Sequence, residues 1–285
     1  MKTFSLIRYS ILTLGLFFIA GCLKQEPIKK EKAFTLAETK KAITVFVHGT
    51  LPPLVRGLVH TLDCPQGLML AKDFGTGYLM GRIPFLLSEA DPLQFPLNKF
   101  YLFGWSGALC FKERKAAALA LYQALKKLDG ALTIIAHSHG GNVALYLAEI
   151  AQELGDTNFY IDCLILLGVP VQQATKNLIA SPIFKKIYAF YSCGDWTQCA
   201  DPQGIYSIGN SKDQSGPLFS ERIFPTQKHL KHVRVFYKKY NLDHIGFILR
   251  PFIKALPKLL KLVQTAPNDC SVNISPKKDP ELYSR

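Results

Sequence analysis

Ser138 lies in the stretch Ala136-His137-Ser138-His139-Gly140-Gly141, with small residues two before and two after a hydroxyl. That spacing suits a nucleophile on a sharp strand-to-helix turn, where the backbone is strained, the hydroxyl is exposed and only small neighbours fit. Gly141 would let the following helix lie close to its strand. The start of that helix would offer dipoles and unpaired amides to a developing negative charge, the chemistry of attack on an acyl carbon. So short a string recurs by chance, and its context carries the weight. The continuous apolar run Ala131 to Ala136 precedes it, and Val143, Leu147, Ile150 and Leu154 follow at helical spacing.

Other chemistry-bearing residues fit less well. His137 and His139 read poorly as a metal pair, because adjacent residues of such a turn point in diverging directions. Ser106, in FGWSGAL, lacks the glycine spacing and the following helix, so it is expected to line a pocket. The seven cysteines contain no C-x-x-C pair of a zinc ribbon. Cys193 and Cys199 are close enough in sequence to close a small loop, and Cys163 sits in an apolar run as a buried thiol. Neither metal nor cofactor is expected.

The elements that must position these groups alternate along the chain. Strands are predicted at Ala42–Val47, Lys99–Phe103, Ala131–Ala136, Cys163–Gly168, Lys186–Tyr191 and His232–Tyr237. Helices are predicted at Lys112–Leu128, after the serine turn, and near the end of the chain, where Ile245, Ile248, Leu249, Phe252, Leu256, Leu259, Leu260 and Val263 share a face. Pro251 and Pro257 should kink or divide that last helix. Its Lys254, Lys258 and Lys261 raise a membrane-surface role, although docking of the apolar face on the sheet is the preferred reading. Alternation of this kind predicts a three-layer α/β/α sandwich around a mostly parallel sheet. Ligands then bind beyond the carboxyl ends of the strands.

Two long connections flank the expected site. Residues 51–98 are too long and too apolar for a bare loop, so helices forming an acyl-binding wall or a lid are expected there. The second, Ser192 to Lys231, is rich in Gly, Ser, Asp and Gln and reads as a mobile segment. Between Gly168 and Lys186 there is no room for a large cap domain, which favours an open cleft.

Residues 1–21 carry Lys2 and Arg8, an apolar run and no acid, the layout of a secretory signal. Residues 22–41 are charged and read as a tether, residues 42–265 as the folded domain, and residues 266–285 as a flexible tail. The formal charge of +13 drops by two when Lys2 and Arg8 are removed, and the surplus favours anionic surfaces such as phospholipid head groups. No nucleic-acid recognition motif is present.

Two resemblances sharpen the reading. Ile19-Ala20-Gly21-Cys22 resembles the lipobox of bacterial lipoproteins, which implies acylation of Cys22 and a lipid anchor in the cell envelope. The elbow AHSHGG and the stretch VFVHGT resemble the α/β-hydrolase superfamily, particularly bacterial lipases and esterases, over residues 42–263. That likeness implies the order nucleophile, acid, histidine: Ser138, then Asp195 in SCGDWTQ, then His244 in NLDHIGF. Asp201 and Asp213 stand as alternatives to Asp195, and His244 or Asp243 can cap the turn that follows. The backbone N–H groups of Thr50 and His139 would form the oxyanion hole, with Ala136 in place of the family's commoner glycine. The expected activity is hydrolysis of an ester, with lipid-like substrates favoured by the open cleft; the other readings are a triad acting on thioesters, amides or in acyl transfer, and a lipoprotein keeping the fold as a binding module.

Overall fold

The computed structural model describes residues 42–50, 64–201, 219–276 and 278–283. The expected signal, Cys22, the tether, residues 51–63 of the first long connection and Asp213 lie outside the described residues.

A single sheet organises the chain, in the order β10-β9-β7-β6-β5-β4-β1-β3-β2, with β8 paired to β7. Its centre is β1 (Ala42–Val47), β3 (Phe100–Gly104), β4 (Ala131–His137), β5 (Cys163–Leu167), β6 (Ile187–Tyr191) and β7 (Leu230–Tyr237). All neighbours within this set pair in parallel. Such strands are mostly apolar because both faces are covered, and β7, with Lys231, His232 and Arg234, is the exception. Alternation along β1 divides them: Val45 and Val47 pack under α3 (Phe111–Leu125) and α4 (His139–Glu153), while Phe46 packs on the opposite face. That second face is covered by α2 (Leu79–Ala90) and α6 (Arg250–Gln264), which follow the short α1 (Ala71–Phe74) and α5 (Trp196–Cys199) in chain order. The result is a three-layer α/β/α sandwich, with one core on each side of the sheet.

Three expectations need correction, and the expected division of the last helix at Pro251 is met. The first long connection does not build a lid from its described part. Residues 67–70 form β2, an antiparallel edge strand on β3, and α2 turns Met80, Ile83 and Leu87 into the core against α6. The chain beyond residue 265 is no loose tail. β9 (Asp269–Ser275) adds parallel to β7 and buries Val272 and Ile274, and β10 (Lys278–Leu282) pairs antiparallel to it. The last helix is divided: a short turn at Ile245–Ile248 ends at Leu249, and Pro251 opens α6, where a missing N–H costs nothing. Its Lys254, Lys258 and Lys261 are tied to Glu89, Asp279 and Asp91, so they clamp α6 to its neighbours. Finally, Cys193 and Cys199 are free thiols.

Candidate active site

The turn after β4 is built as the spacing demands. Ser138 has φ 53° and ψ −134°, a strained conformation for a residue with a Cβ. Its neighbours explain why it is tolerated. A Cβ on Gly140 would lie 2.4 Å from the His48 carbonyl oxygen and 2.5 Å from that of Val47, and one on Gly141 would lie 2.2 Å from Val169. Glycine therefore lets α4 press against the ends of β1 and β5. The Ser138 N–H donates to the Leu167 carbonyl at 3.0 Å, tying the turn to β5, while Ala136 is buried in the strand.

His48-Gly49-Thr50 runs alongside. A Cβ on Gly49 would come within 2.6 Å of the Ser138 Cβ, so only glycine allows this approach. The His48 ring is held as one tautomer. Its Nε2 accepts from the Trp105 N–H at 3.1 Å, so its Nδ1 carries the proton and donates to the Gly49 carbonyl at 2.7 Å. The His139 N–H begins α4 and has no acceptor within the helix. The Thr50 Oγ1 is buried without a hydrogen-bond partner among the described residues.

On the other flank, Asp195 and His244 meet. His244 Nδ1 donates to Asp195 Oδ2 at 2.8 Å, and the remaining oxygen Oδ1 accepts from the Gln198 N–H at 2.9 Å, capping α5. The carboxylate is fully buried and the imidazole nearly so. With Nδ1 protonated, the neutral ring keeps Nε2 free to accept a proton. A Cβ on Gly168, at the end of β5, would stand 2.8 Å from Asp195 Oδ2, so this glycine at φ 55° clears the carboxylate's position. Asp243 caps the turn after it through its Oδ1 and the Gly246 N–H at 2.6 Å, which leaves His244 for other work.

His137 joins the two flanks. Its Nε2 donates to the His244 carbonyl at 3.1 Å, and the two rings lie tilted to each other with centroids 4.7 Å apart. Burial, with the nearby His244 adding to it, holds the His137 imidazole down to about 3, so it is neutral. The Ser138 hydroxyl closes no side-chain hydrogen bond among the described residues.

Asp201, the alternative acid, serves a different histidine. His139 Nε2 donates to Asp201 Oδ1 at 2.9 Å, and the His139 Nδ1 accepts from Arg114 Nη1 at 2.5 Å. Gln172 bridges the pair, accepting from Arg114 at 2.7 Å and donating to Asp201 Oδ2 at 2.7 Å, and the Ser220 hydroxyl adds a bond at 2.8 Å. Burial alone would raise the Asp201 carboxyl, but the donors His139, Ser220 and Gln172 hold it down to about 2. His139 is kept neutral mainly by burial. Arg114 and Gln172 were not singled out from the sequence. Arg114 belongs to the first turn of an amphipathic helix, where a charged residue reads as solvated, and only the packing of α3 on α4 turns it inward. Ser106 Oγ accepts from the Ala108 N–H at 3.4 Å within its own turn.

Burial pushes the Cys163 thiol up to about 12, consistent with an inert core position. No group of metal-ligating side chains occurs among the described residues, and His137 and His139 address different partners.

No protein-family model matches the sequence, and no curated protein matches it. Among solved structures the chain is similar to Aspergillus fumigatus lipase B at 9% identity and a TM-score of 0.40, over 76% of this chain and 51% of that one. It is similar to an arylesterase at 9% identity and a TM-score of 0.37, over 96% and 84% of the two chains. A thermostable esterase from Pseudomonas putida shares 12% identity at a TM-score of 0.37, over 77% and 72%. The chain thus spans about half the length of the Aspergillus lipase.

Proposed function

We propose that the protein is a serine hydrolase of carboxylic esters that works through an acyl-enzyme. Ser138 attacks the acyl carbon, His244 takes the hydroxyl proton at Nε2 and returns it to the leaving oxygen, and Asp195 fixes the ring and stabilises its charged form. The N–H groups of Thr50 and His139 receive the oxyanion of the tetrahedral intermediate. Water then repeats the sequence on the acyl-enzyme and releases the acid. The observation that carries this reading is the buried Asp195–His244 hydrogen bond at 2.8 Å beside a serine held at positive φ. The three residues follow the carboxyl ends of β4 and β6 and the hairpin after β7, parallel strands of one sheet, which supports the reading.

A fluorophosphonate probe tests it. The purified protein should label once, Ser138→Ala should not label, and Asp195→Asn should hydrolyse a p-nitrophenyl ester about 10³–10⁴-fold more slowly with KM little changed. Labelling that survives Ser138→Ala would refute the assignment.

Lipid-like esters are the preferred substrate class within this proposal, because the reading includes a lipid anchor at Cys22. The anchor rests on the IAGC stretch and the signal-like residues before it. Metabolic labelling with a fatty-acid analogue should tag the protein and fail for Cys22→Ser.

A further inference from the structure

A solvent-open concavity of about 530 Å³ is lined by Tyr191, Cys193, Cys199, Glu221, Arg222, Ile223 and Arg234, a set that includes neither Ser138 nor His244. Its size is that of a small-ligand site. Two arginines line it from different elements: Arg234 comes from β7, where it is the register partner of Tyr191 on β6, and Arg222 comes from the connection leading into β7.

Neither guanidinium has a carboxylate partner among the described residues. Glu221, the acid that lines the concavity, is engaged by Lys176 at 3.7 Å. Arg222 spends one nitrogen, Nη2, on the Asp195 carbonyl at 3.2 Å and lies over the Trp196 ring at 5.5 Å. Arg234 reaches Asn241 Oδ1 with Nη2 at 3.4 Å and lies over the Phe236 ring at 4.6 Å. In both, the Nε atom is buried with no hydrogen-bond partner among the described residues. A buried donor of a charged group is costly to leave unmade. Two cations that line one concavity without a carboxylate partner among the described residues suit an oxyanion.

We propose that this concavity binds a phosphate group. Two guanidinium charges match its nearly double negative charge, and their several N–H donors match its three oxygens. The sides of Tyr191 and Ile223 accept whatever organic part the phosphate carries. The group is supplied either as free phosphate or as the head of a phospholipid. Arg222 joins the site to the Asp195 carbonyl, so occupancy bears on the loop that holds the acid. Binding itself needs no ester hydrolysis, so this inference stands or falls apart from the proposed activity.

Calorimetric titration of the full chain with sodium phosphate, and separately with dihexanoyl phosphatidate below its micellar concentration, tests it at constant ionic strength. Saturable binding is expected in at least one arm. Equal affinities assign the site to the phosphate alone, and tighter lipid binding assigns it to the phospholipid. Arg234→Gln should weaken either by about ten-fold or more, the loss of a charge-assisted contact. Should that variant fold poorly, alkylation of the wild-type chain decides. Phosphate should slow iodoacetamide labelling of Cys193 and Cys199, read by peptide mass spectrometry, and leave Cys270 on β9 unaffected. Absence of binding in both arms, or protection that sodium chloride reproduces equally, would overturn the proposal.

Discussion

At the scale of single residues the site is a set of close approaches that only certain side chains permit. Gly168 shows this most directly, since it combines φ 55° with a Cβ position 2.8 Å from Asp195 Oδ2. Gly168→Ala is therefore expected to lose about 1–3 kcal/mol from backbone strain and crowding, and to lower kcat with it by displacing the carboxylate from His244. Urea denaturation alongside ester turnover checks both; a variant with full activity would show that the carboxylate's position is not critical. His137 gives a second test, with a definite sign. Its folded pKa of about 3 lies below the ordinary histidine value, so between those two pH values the unfolded chain holds a proton that the folded chain does not. Stability is then fully present above about pH 6.5 and falls as the pH drops toward 3, by up to about 1.4 kcal/mol per pH unit from this residue. Urea midpoints measured across that window should slope less steeply in His137→Gln than in the wild type. Equal slopes would mean that His137 titrates alike in both states.

At the scale of elements, the second core depends on apolar packing between α2, α6 and the sheet, while the lysine pairs that decorate it are exposed. Leu256 on α6 is fully buried. Leu256→Ala should cost about 2–5 kcal/mol, whereas Lys254→Ala, which breaks the exposed pair with Glu89, should cost well under about 1 kcal/mol. Thermal melts of the two variants separate the contributions, and similar losses would contradict this view. The same contrast explains what could be read in the chain. β4, its turn and α4 were legible because a continuous apolar strand, a glycine-flanked serine and a helical repeat agree over one short window. Asp195 and His244 were reachable only through strand order and resemblance, since nothing local distinguishes Asp195 from Asp201. In the packed chain Asp201 bonds His139 and Asp195 bonds His244. β2 escaped notice because four residues are too few to show a period, and its Gly67-Leu68-Met69-Leu70 reads equally well as helix. β9 escaped because Asp269-Cys270-Ser271-Val272-Asn273-Ile274-Ser275 has only two large apolar residues, which alternate as an added strand requires.

At the scale of the whole molecule, that added strand matters beyond the edge of the sheet. β9 covers the open side of β7 and sets Val272 and Ile274 into the core, each adding about 1.5–3 kcal/mol of apolar burial. It also holds the hairpin that follows β7. Lys238 and Lys239 both adopt positive φ, at 51° and 69°, and their N–H groups donate at 2.8 Å to the Ile274 carbonyl and to Asn273 Oδ1. The hairpin continues through β8 (Tyr240–Asn241) directly to His244, so the C-terminal strand steadies the segment that presents the imidazole. Removal of residues 267–285 should then do two things: lower the thermal midpoint by several degrees or more, through lost burial and an exposed parallel edge, and cut turnover in whatever fraction remains folded. Circular dichroism melts and active-site titration with the fluorophosphonate measure these separately. A truncated chain that melts and turns over like the parent would show that the strand is an appendage, and that β7 and its hairpin hold His244 unaided.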